Sequence, residues 1–456
     1  MGMEFRIRET LSAPAQPHAC VAFFLVEPLL RFQILLPGLF LVVTSCTQTR
    51  GWFRRDGVKP LARLTLTIKN PLALRRAAAP MILKADQLPS LFQQSTHIAV
   101  VDPYAGNESG DGHQGKLLPA QLDDLDGDGK WDELAFQVDL EDLQMKMLHL
   151  YSSLSAAKVD WKGADATTSS THHITQMVLE SEKITYTIAE AASLDVIGKL
   201  GPGFNIGFYF GKHKRSPNRE RNADRGLDFL PVGTTFGAAS FCVFEEPGTG
   251  KYARPWSTNS LFFSESDLPG GGAKFNFKII KKGPVRAIAS AEITNWKSGK
   301  GDYEARCRYT LWAKHQELKC DVELTRVPAG FSKFTAGIGF REPPQETSFI
   351  ANKTYACATA RDIYSVASGG IIADMIGLSL IYDANDFEKS ELSKDAQKNH
   401  LIHFKNPGRR RFSYYALAGW NRDEAVQSPD QWKKLVAAVQ EEIANPPQVN
   451  VGAVEY

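Results

Sequence analysis

From Leu64 to Trp420 the apolar residues of this chain recur mainly at every second position, broken by short polar segments and by turns carrying glycine or proline. A two-residue period is that of a strand with one buried face. Leu64, Leu66 and Ile68 alternate before Asn70-Pro71, Ile98 to Val101 ends at Asp102-Pro103, and Met145 to Tyr151 follows an acidic stretch. Ile184, Tyr186 and Ile188 alternate, as do Phe275, Phe277 and Ile279. The clearest pattern joins Val285, Ala287, Ala289, Ala291 and Ile293 to Ala305, Cys307, Tyr309 and Leu311, and then to Leu318, Cys320, Val322 and Leu324. Such runs, separated by turn-like segments, predict an antiparallel meander with one face in a core. Further strands are expected within Ile371 to Tyr382 and Phe412 to Trp420.

The period changes once. Ser428 is an N-cap, Pro429 suits the first helical position, and Gln431 is a capping-box partner. Trp432, Leu435, Val436, Val439 and Ile443 then share one face until Asn445-Pro446-Pro447, which predicts a helix over 429–445. No repeat or interdomain linker stands out. The expectation is an all-β fold, a large antiparallel β-sandwich of two stacked sheets with a C-terminal helix. It forms a single domain over 63–456, with room for a small N-terminal sub-layer.

The N-terminal end reads differently. Phe32 to Val43 is apolar apart from Gln33, Pro37 and Gly38, follows Arg31, and runs into Val43-Thr44-Ser45-Cys46. That run is short for a membrane span, and its end resembles the cleavage box of bacterial lipoproteins. Residues 1–45 are therefore expected to be a signal peptide, Cys46 the lipidated first mature residue and 46–62 a tether. The expected location is the bacterial periplasm or cell surface, with the membrane reached through the lipid anchor alone. The long stretch before the apolar run suggests a true start downstream of Met1. Residues 1–45 carry three basic and three acidic side chains, so the mature charge stays at +2. A near-neutral chain with 43% hydrophobic residues is globular and lacks the positive charge of a nucleic-acid binder. Cys242, Cys307, Cys320 and Cys357 show no C-x-x-C spacing, which argues against zinc. Cys307 and Cys320 can pair in an oxidising compartment or remain buried thiols.

Asp123-Asp124-Leu125-Asp126-Gly127-Asp128-Gly129-Lys130-Trp131-Asp132-Glu133 is the sharpest motif. Asp124, Asp126 and Asp128 with Gly129 follow the first positions of a calcium loop, where alternate carboxylates converge on a hard cation. Ala135 stands where a closing Glu is usual, so Asp132 or Glu133 would complete the shell, and calcium would pin a turn. The alternative is an Asp-Gly turn without metal, in which the acids repel one another.

Lys212 to Arg225 carries six basic and two acidic residues. It is either a solvated loop or a cationic rim for carboxylate or sulfate groups on a sugar polymer. Within it lie His213, Arg215 and Arg225, and Arg409 and Arg410 can extend the same rim. Trp256, Tyr415 and Trp420 adjoin polar loops; such rings are either core or platforms for a pyranose. β-Elimination or dehydration of a uronic acid needs a base for the α proton, an acid for the leaving oxygen and a cation for the enolate-like carboxylate. His213 or His403, Tyr414 and Arg225 are the candidate catalytic residues; Arg215, Trp256, Arg409, Arg410, Tyr415 and Trp420 are the candidate substrate contacts. A glycoside hydrolase would need two opposed carboxylates, and Asp228, Glu265 and Asp267 show no diagnostic pattern. A non-catalytic carbohydrate-binding surface protein is the other alternative.

Three stretches carry a resemblance: Gln121 to Leu134, Leu179 to Tyr186 with Asp195 to Lys199, and Tyr414 to Trp420. Together they resemble a bacterial domain-of-unknown-function family found in polysaccharide-utilisation loci, over most of the chain after about Leu64. The resemblance implies a galactose-mutarotase-like β-sandwich and a carbohydrate context. It assigns no catalytic residue, and the long basic insertion before Asp224-Arg225-Gly226-Leu227-Asp228 departs from the usual members. With the cationic segment, the expected partner is an anionic, uronate-containing oligosaccharide or polysaccharide, processed by a lyase or dehydratase.

Overall fold

The computed structural model describes residues 52–105, 115–159, 161, 163–171, 174–201, 203–209, 225–230, 232–257, 271–341, 346–351, 354–359, 375–394, 399–423 and 426–456. Residues 49–456 form one compact unit. The described residues are mostly strands in antiparallel sheets, with one long helix near the C-terminus.

Two stacked layers make the larger part. One is an eight-stranded sheet in the order Lys274–Lys281, Arg286–Ser298, Gly301–Trp312, Leu318–Arg326, Arg411–Trp420, Ile376–Tyr382, Thr354–Thr359 and Glu346–Ala351. The predicted meander forms its first half, in register from Ala289↔Tyr309 to Tyr309↔Cys320 and Cys320↔Tyr414. The other layer joins a five-stranded sheet, built on Ile174–Ser181, Ile184–Ala189 and Leu194–Lys199, to a four-stranded sheet. The four-stranded sheet runs Ser240–Phe244, Thr335–Arg341, Asn399–Phe404, Phe387–Leu392. They meet at Gly237, whose carbonyl accepts from Arg341 N, while Ala238 N donates to Leu194 O. Alternate residues of all three sheets fill one core, including Leu179, Tyr186, Phe241, Ile338, Cys307, Tyr309 and Tyr414. Each large side chain buried there contributes roughly 1.5–3 kcal/mol.

The N-terminal sub-layer is a smaller sandwich with its own core. A five-stranded sheet (Gln448–Glu455, Pro60–Lys69, Met145–Ser153, Ile98–Asp102, Lys116–Leu118) faces a three-stranded one (Arg76–Lys84, Glu133–Leu140, Ala120–Asp123). Leu64, Leu66 and Ile68 point into it beside Leu134 and Phe136. Its edge strand, Gln448–Glu455, comes from the far end of the chain, with Leu66 opposite Val451. Packing begins inside the segment read as a tether: Phe53 and Val58 are buried against Val101 and Tyr151.

The helix is Pro429–Ala444, as the capping signals predict. Ser428 Oγ accepts from Gln431 N at 3.2 Å, while Gln431 Oε1 takes the N–H of Gln427 at 2.7 Å rather than that of the cap. Trp432 and Val436 pack on Leu417 and Val426, behind the eight-stranded sheet. Among the described residues no helix is long and apolar enough to cross a membrane. Cys307 and Cys320 are free, buried thiols; they sit diagonally on adjacent strands, since Cys307 faces Val322 and Cys320 faces Tyr309.

Candidate functional site

The acidic motif is the turn between Ala120–Asp123 and Glu133–Leu140. Gly127 and Gly129 hold φ of +85° and +87°, a left-handed conformation that side-chain-bearing residues rarely adopt. The carboxylates organise the backbone. Asp124 accepts from Gly127 N at 2.6 Å and Gly129 N at 2.9 Å, Asp126 from Asp128 N at 3.0 Å, and Asp128 from Lys130 N at 2.7 Å. Asp124, Asp126 and Asp128 each bring a carboxylate oxygen within 4.8 Å of the others. That all-oxygen, triply charged set fits a hard divalent cation. The other two expected ligands stand outside that close group. Asp132 Oδ2 accepts from Leu125 N at 2.6 Å, and Glu133 turns beneath the turn to Arg286 at 2.7 Å.

Arg286 is the anchor of this end. Its guanidinium lies over Trp312 at 5.1 Å and bonds Asp123 as well as Glu133; Asp123 and Arg286 are almost wholly buried. Gln121 completes the junction, accepting from Val285 N and Arg286 N at 3.1 Å and donating to Asp123 at 2.8 Å. The strands flanking the acidic turn are thereby fastened to the large sandwich.

A second group of polar side chains lies on the outer face of the four-stranded sheet. Phe241, Ile338 and Ile402 point into the main core, so alternation turns Cys242, Phe244, Leu401 and His403 outward. Segment 250–257 covers them, held by the Val243↔Ala253 bridge. His403 Nε2 meets Glu391 Oε1 at 2.7 Å, Lys389 Nζ holds the other Glu391 oxygen at 3.0 Å, and Phe244 stacks on the imidazole at 3.6 Å. Gly337 makes room for that stack: a Cβ there would stand 2.3 Å from the Phe244 ring. Burial lowers the pKa of His403 below its ordinary value, with Glu391 opposing the shift only in part. Burial thus favours the neutral imidazole, and a carboxylate fixes its orientation. Burial acts to raise Glu391, but hydrogen bonds from Lys389 and His403 outweigh it and leave that carboxyl low. Tyr252 and Trp256 belong to the same layer as Phe244. Beside them Arg254 donates to Ser193 Oγ at 2.8 Å and covers Phe236 at 4.8 Å.

The family profile described as Domain of unknown function (DUF4861) matches residues 68–449. The chain belongs to that family. The DUF4861 chain has no match among curated proteins. Solved structures similar to it include an alpha-mannosidase from Enterococcus faecalis V583, at 9% identity and a TM-score of 0.46, with 86% of this chain and 46% of that one covered. A protein in the glycosyl hydrolase family 38 from Enterococcus faecalis is also similar, at 9% identity and a TM-score of 0.47, over 86% of this chain and 47% of that one. The chain spans about half the length of these structures.

Of the remaining candidates in the DUF4861 chain, the structure separates most. His403 and Trp256 share a layer, but Tyr414 and Trp420 are corrected to core residues. Tyr414 is 1% exposed among Cys320, Tyr309 and Cys307, and Trp420 stacks on Phe229 at 5.4 Å. Both occupy inward positions of Arg411–Trp420, so neither reaches a groove. Tyr415 faces the opposite way, and burial with Asp321 and Glu317 nearby pushes its phenol up to about 12. Arg409 is ion-paired with Asp386, and Arg410 is exposed on the turn before Arg411–Trp420. Arg225 is exposed beside the five-stranded sheet, its carbonyl accepting from Leu200 N and Asn205 Nδ2. His213, Arg215, Cys46, Glu265 and Asp267 lie outside the described residues.

Beyond the Arg286 cluster, sequence reasoning also missed the buried pairs Glu180–Lys199 and His315–Glu317. Glu180 is fully buried and accepts from Lys199 Nζ, Asn205 N and Ile206 N, each at 2.7 Å, fixing the chain that leads toward the basic segment. His315 Nδ1 lies 2.6 Å from Glu317, and its Nε2 lies 3.0 Å from Ala78 O. Burial acts to lower His315, but the Glu317 charge and hydrogen bond outweigh it and carry the imidazole up to about 9. The available signal was an acid on one strand and a base on another, each on the face of Val178 and Ile197, away from the main core, where Ile206 covers them.

Proposed function

We propose that this is an exported, carbohydrate-active lipoprotein that processes anionic, uronate-containing oligosaccharides as a lyase or dehydratase. The layer over the four-stranded sheet is its site. One observation carries the reading: a buried imidazole held by a carboxylate, His403 on Glu391, in the same layer as Tyr252 and Trp256. In this reading His403 is the base. With Nε2–H donated to Glu391, Nδ1 accepts the proton α to the sugar carboxylate, and Glu391 stabilises the imidazolium. The C–H pair becomes the new C=C bond as the β C–O bond breaks, and the leaving oxygen takes its proton from the His403 imidazolium, which returns to the neutral form. Lys389, bonded to Glu391, supplies positive charge near the developing enolate. Asp124, Asp126 and Asp128 would hold calcium, which would pin the turn far from these steps in role. Export rests on the 1–45 signal and on Cys46.

A second reading is a non-catalytic carbohydrate-binding protein, favoured by the 1% exposure of His403 beneath Phe244. Incubating the protein with uronate oligosaccharides and following ultraviolet absorbance of new double bonds, with water loss by mass spectrometry, separates the two. Product formation by the wild type that disappears in His403→Ala supports the enzyme. Binding without product across a broad uronate panel supports the binding protein.

A further inference from the structure

Where the chain crosses from the small sandwich to the large one, Trp161 stands in the wall of two adjoining hollows of about 490 and 270 Å³. The crossing is clamped on both sides. Lys158 N donates to Asp56 O at 2.5 Å, and Ala164 N donates to Gly283 O at 3.1 Å. Pro284 is the other residue the two hollows share. The larger hollow adds His97, Ala157 and Lys281, and the smaller adds Lys116, Glu182 and Lys314. Together they fall in the roughly 300–1,000 Å³ range of small-ligand clefts, at a junction between packed units where such clefts concentrate.

The chemistry of the walls narrows the ligand. Gln121 and Gln137 also line them, but their amides are spent on Arg286, Asp123, Ala78 and Ala313. Two carboxylates also line the smaller hollow, and both accept from backbone N–H groups: Glu182 from Lys314 N at 2.7 Å and Asp139 from Ala78 N at 2.8 Å. Among the described residues Lys116, Lys281 and Lys314 have no ion pair. What remains available is one half-buried indole between two hollows, with three lysines on the walls against the two carboxylates Asp139 and Glu182. An indole matches the C–H face of a pyranose, and ammonium groups match carboxylate or sulfate substituents.

We propose that the Trp161 cleft is a binding site for an acidic oligosaccharide, separate from the layer at His403, with adjacent sugar rings seated in the two hollows. It rests on the carbohydrate reading only for the choice of probe. The test is titration calorimetry of the full chain with tetragalacturonate and with neutral maltotetraose, and product formation is assayed in parallel. The wild type is expected to prefer the acidic tetrasaccharide. Trp161→Ala should weaken binding roughly tenfold or more, Trp161→Phe should retain most of it, and Lys281→Ala with Lys314→Ala should reduce it and its salt dependence. His403→Ala should leave affinity at this cleft unchanged. Matching thermal unfolding curves show that each variant is folded. No binding of tetragalacturonate, or affinity unchanged in Trp161→Ala, overturns the proposal; equal affinity for both sugars overturns the role of the lysines. Trp161-dependent binding without product upholds this cleft and removes the lyase, whereas product without Trp161 dependence does the reverse.

Discussion

The acidic turn and the His403 layer are built in opposite ways. In the turn, consecutive residues between two paired strands carry the carboxylates, and their own backbone N–H groups orient them. In the layer, His403, Glu391, Phe244 and Trp256 come from separate segments and meet only because four strands pair and segment 250–257 folds over them. A local site can be held by turn geometry and an ion; a distributed one depends on every register that brings it together. Changes to the turn should therefore act on stability, and changes to the layer on chemistry.

The largest expected effect is on turnover. His403→Ala should lower the rate on a uronate oligosaccharide by about 10²–10⁴-fold, while Asp126→Asn leaves it unchanged; an equal loss in both would erase the contrast. The pH profile sharpens it. Burial lowers His403 below 6.5, so the neutral base forms as pH rises through a value below 6.5, and the acid limb should lie there. Glu391→Gln removes a charge that favours the imidazolium, so the limb should move to still lower pH and the maximal rate should fall.

Next comes the junction under the turn. Arg286→Met strands Asp123 and Glu133 without their shared cation, which should cost about 3–5 kcal/mol in urea unfolding. Adding Asp123→Leu and Glu133→Gln should recover part of that loss; a single variant as stable as wild type would show that the ion cluster does not fasten the two sandwiches.

The calcium prediction is smaller. At a free concentration about a hundredfold above the dissociation constant, an ion on Asp124, Asp126 and Asp128 would add about 2.7 kcal/mol. The unfolding midpoint should drop with chelator and cease to respond in Asp124→Asn/Asp128→Asn. Identical midpoints with calcium and with chelator in the wild type would argue for a metal-free turn.

The last effect, read as a slope with pH, belongs to His315, which sits at neither site. Its pKa stands near 9 in the fold against 6.5 in the free side chain. Its contribution is therefore fully present below about pH 6.5 and is lost as pH rises through 9. Stability should fall over that window by at most about 1.4 kcal/mol per pH unit, and His315→Gln should flatten the curve.

Much of the fold was legible. The two-residue period located the meander and the strand at Leu64, and the Ser-Pro-x-Gln signal located the helix, because both depend on neighbours in the chain. Strands Thr335–Arg341 and Asn399–Phe404 were not read, since glycines at 337 and 339 and polar residues at 399, 400 and 403 break the apolar alternation. The last strand, Gln448–Glu455, is exposed along much of its length and gains its place by pairing with Pro60–Lys69. At the sites, Asp124, Asp126 and Asp128 were legible because alternate residues on one tight turn must converge. The ion pair of Glu133 was not legible because its partner, Arg286, is far away in sequence.

By itself the sequence determined the extended, antiparallel character of the chain, its C-terminal helix and the convergence of three aspartates, all of which follow from short-range periodicity and turn chemistry. The tertiary structure decided which side of each strand is inside, and that choice sent Tyr414 and Trp420 into the core while pairing His403 with Glu391. It also set Trp161 at the crossing between two sandwiches. The physical reason is that burial and ion pairing depend on which distant strands become neighbours, and a one-residue change of register turns every side chain of a strand to the other face.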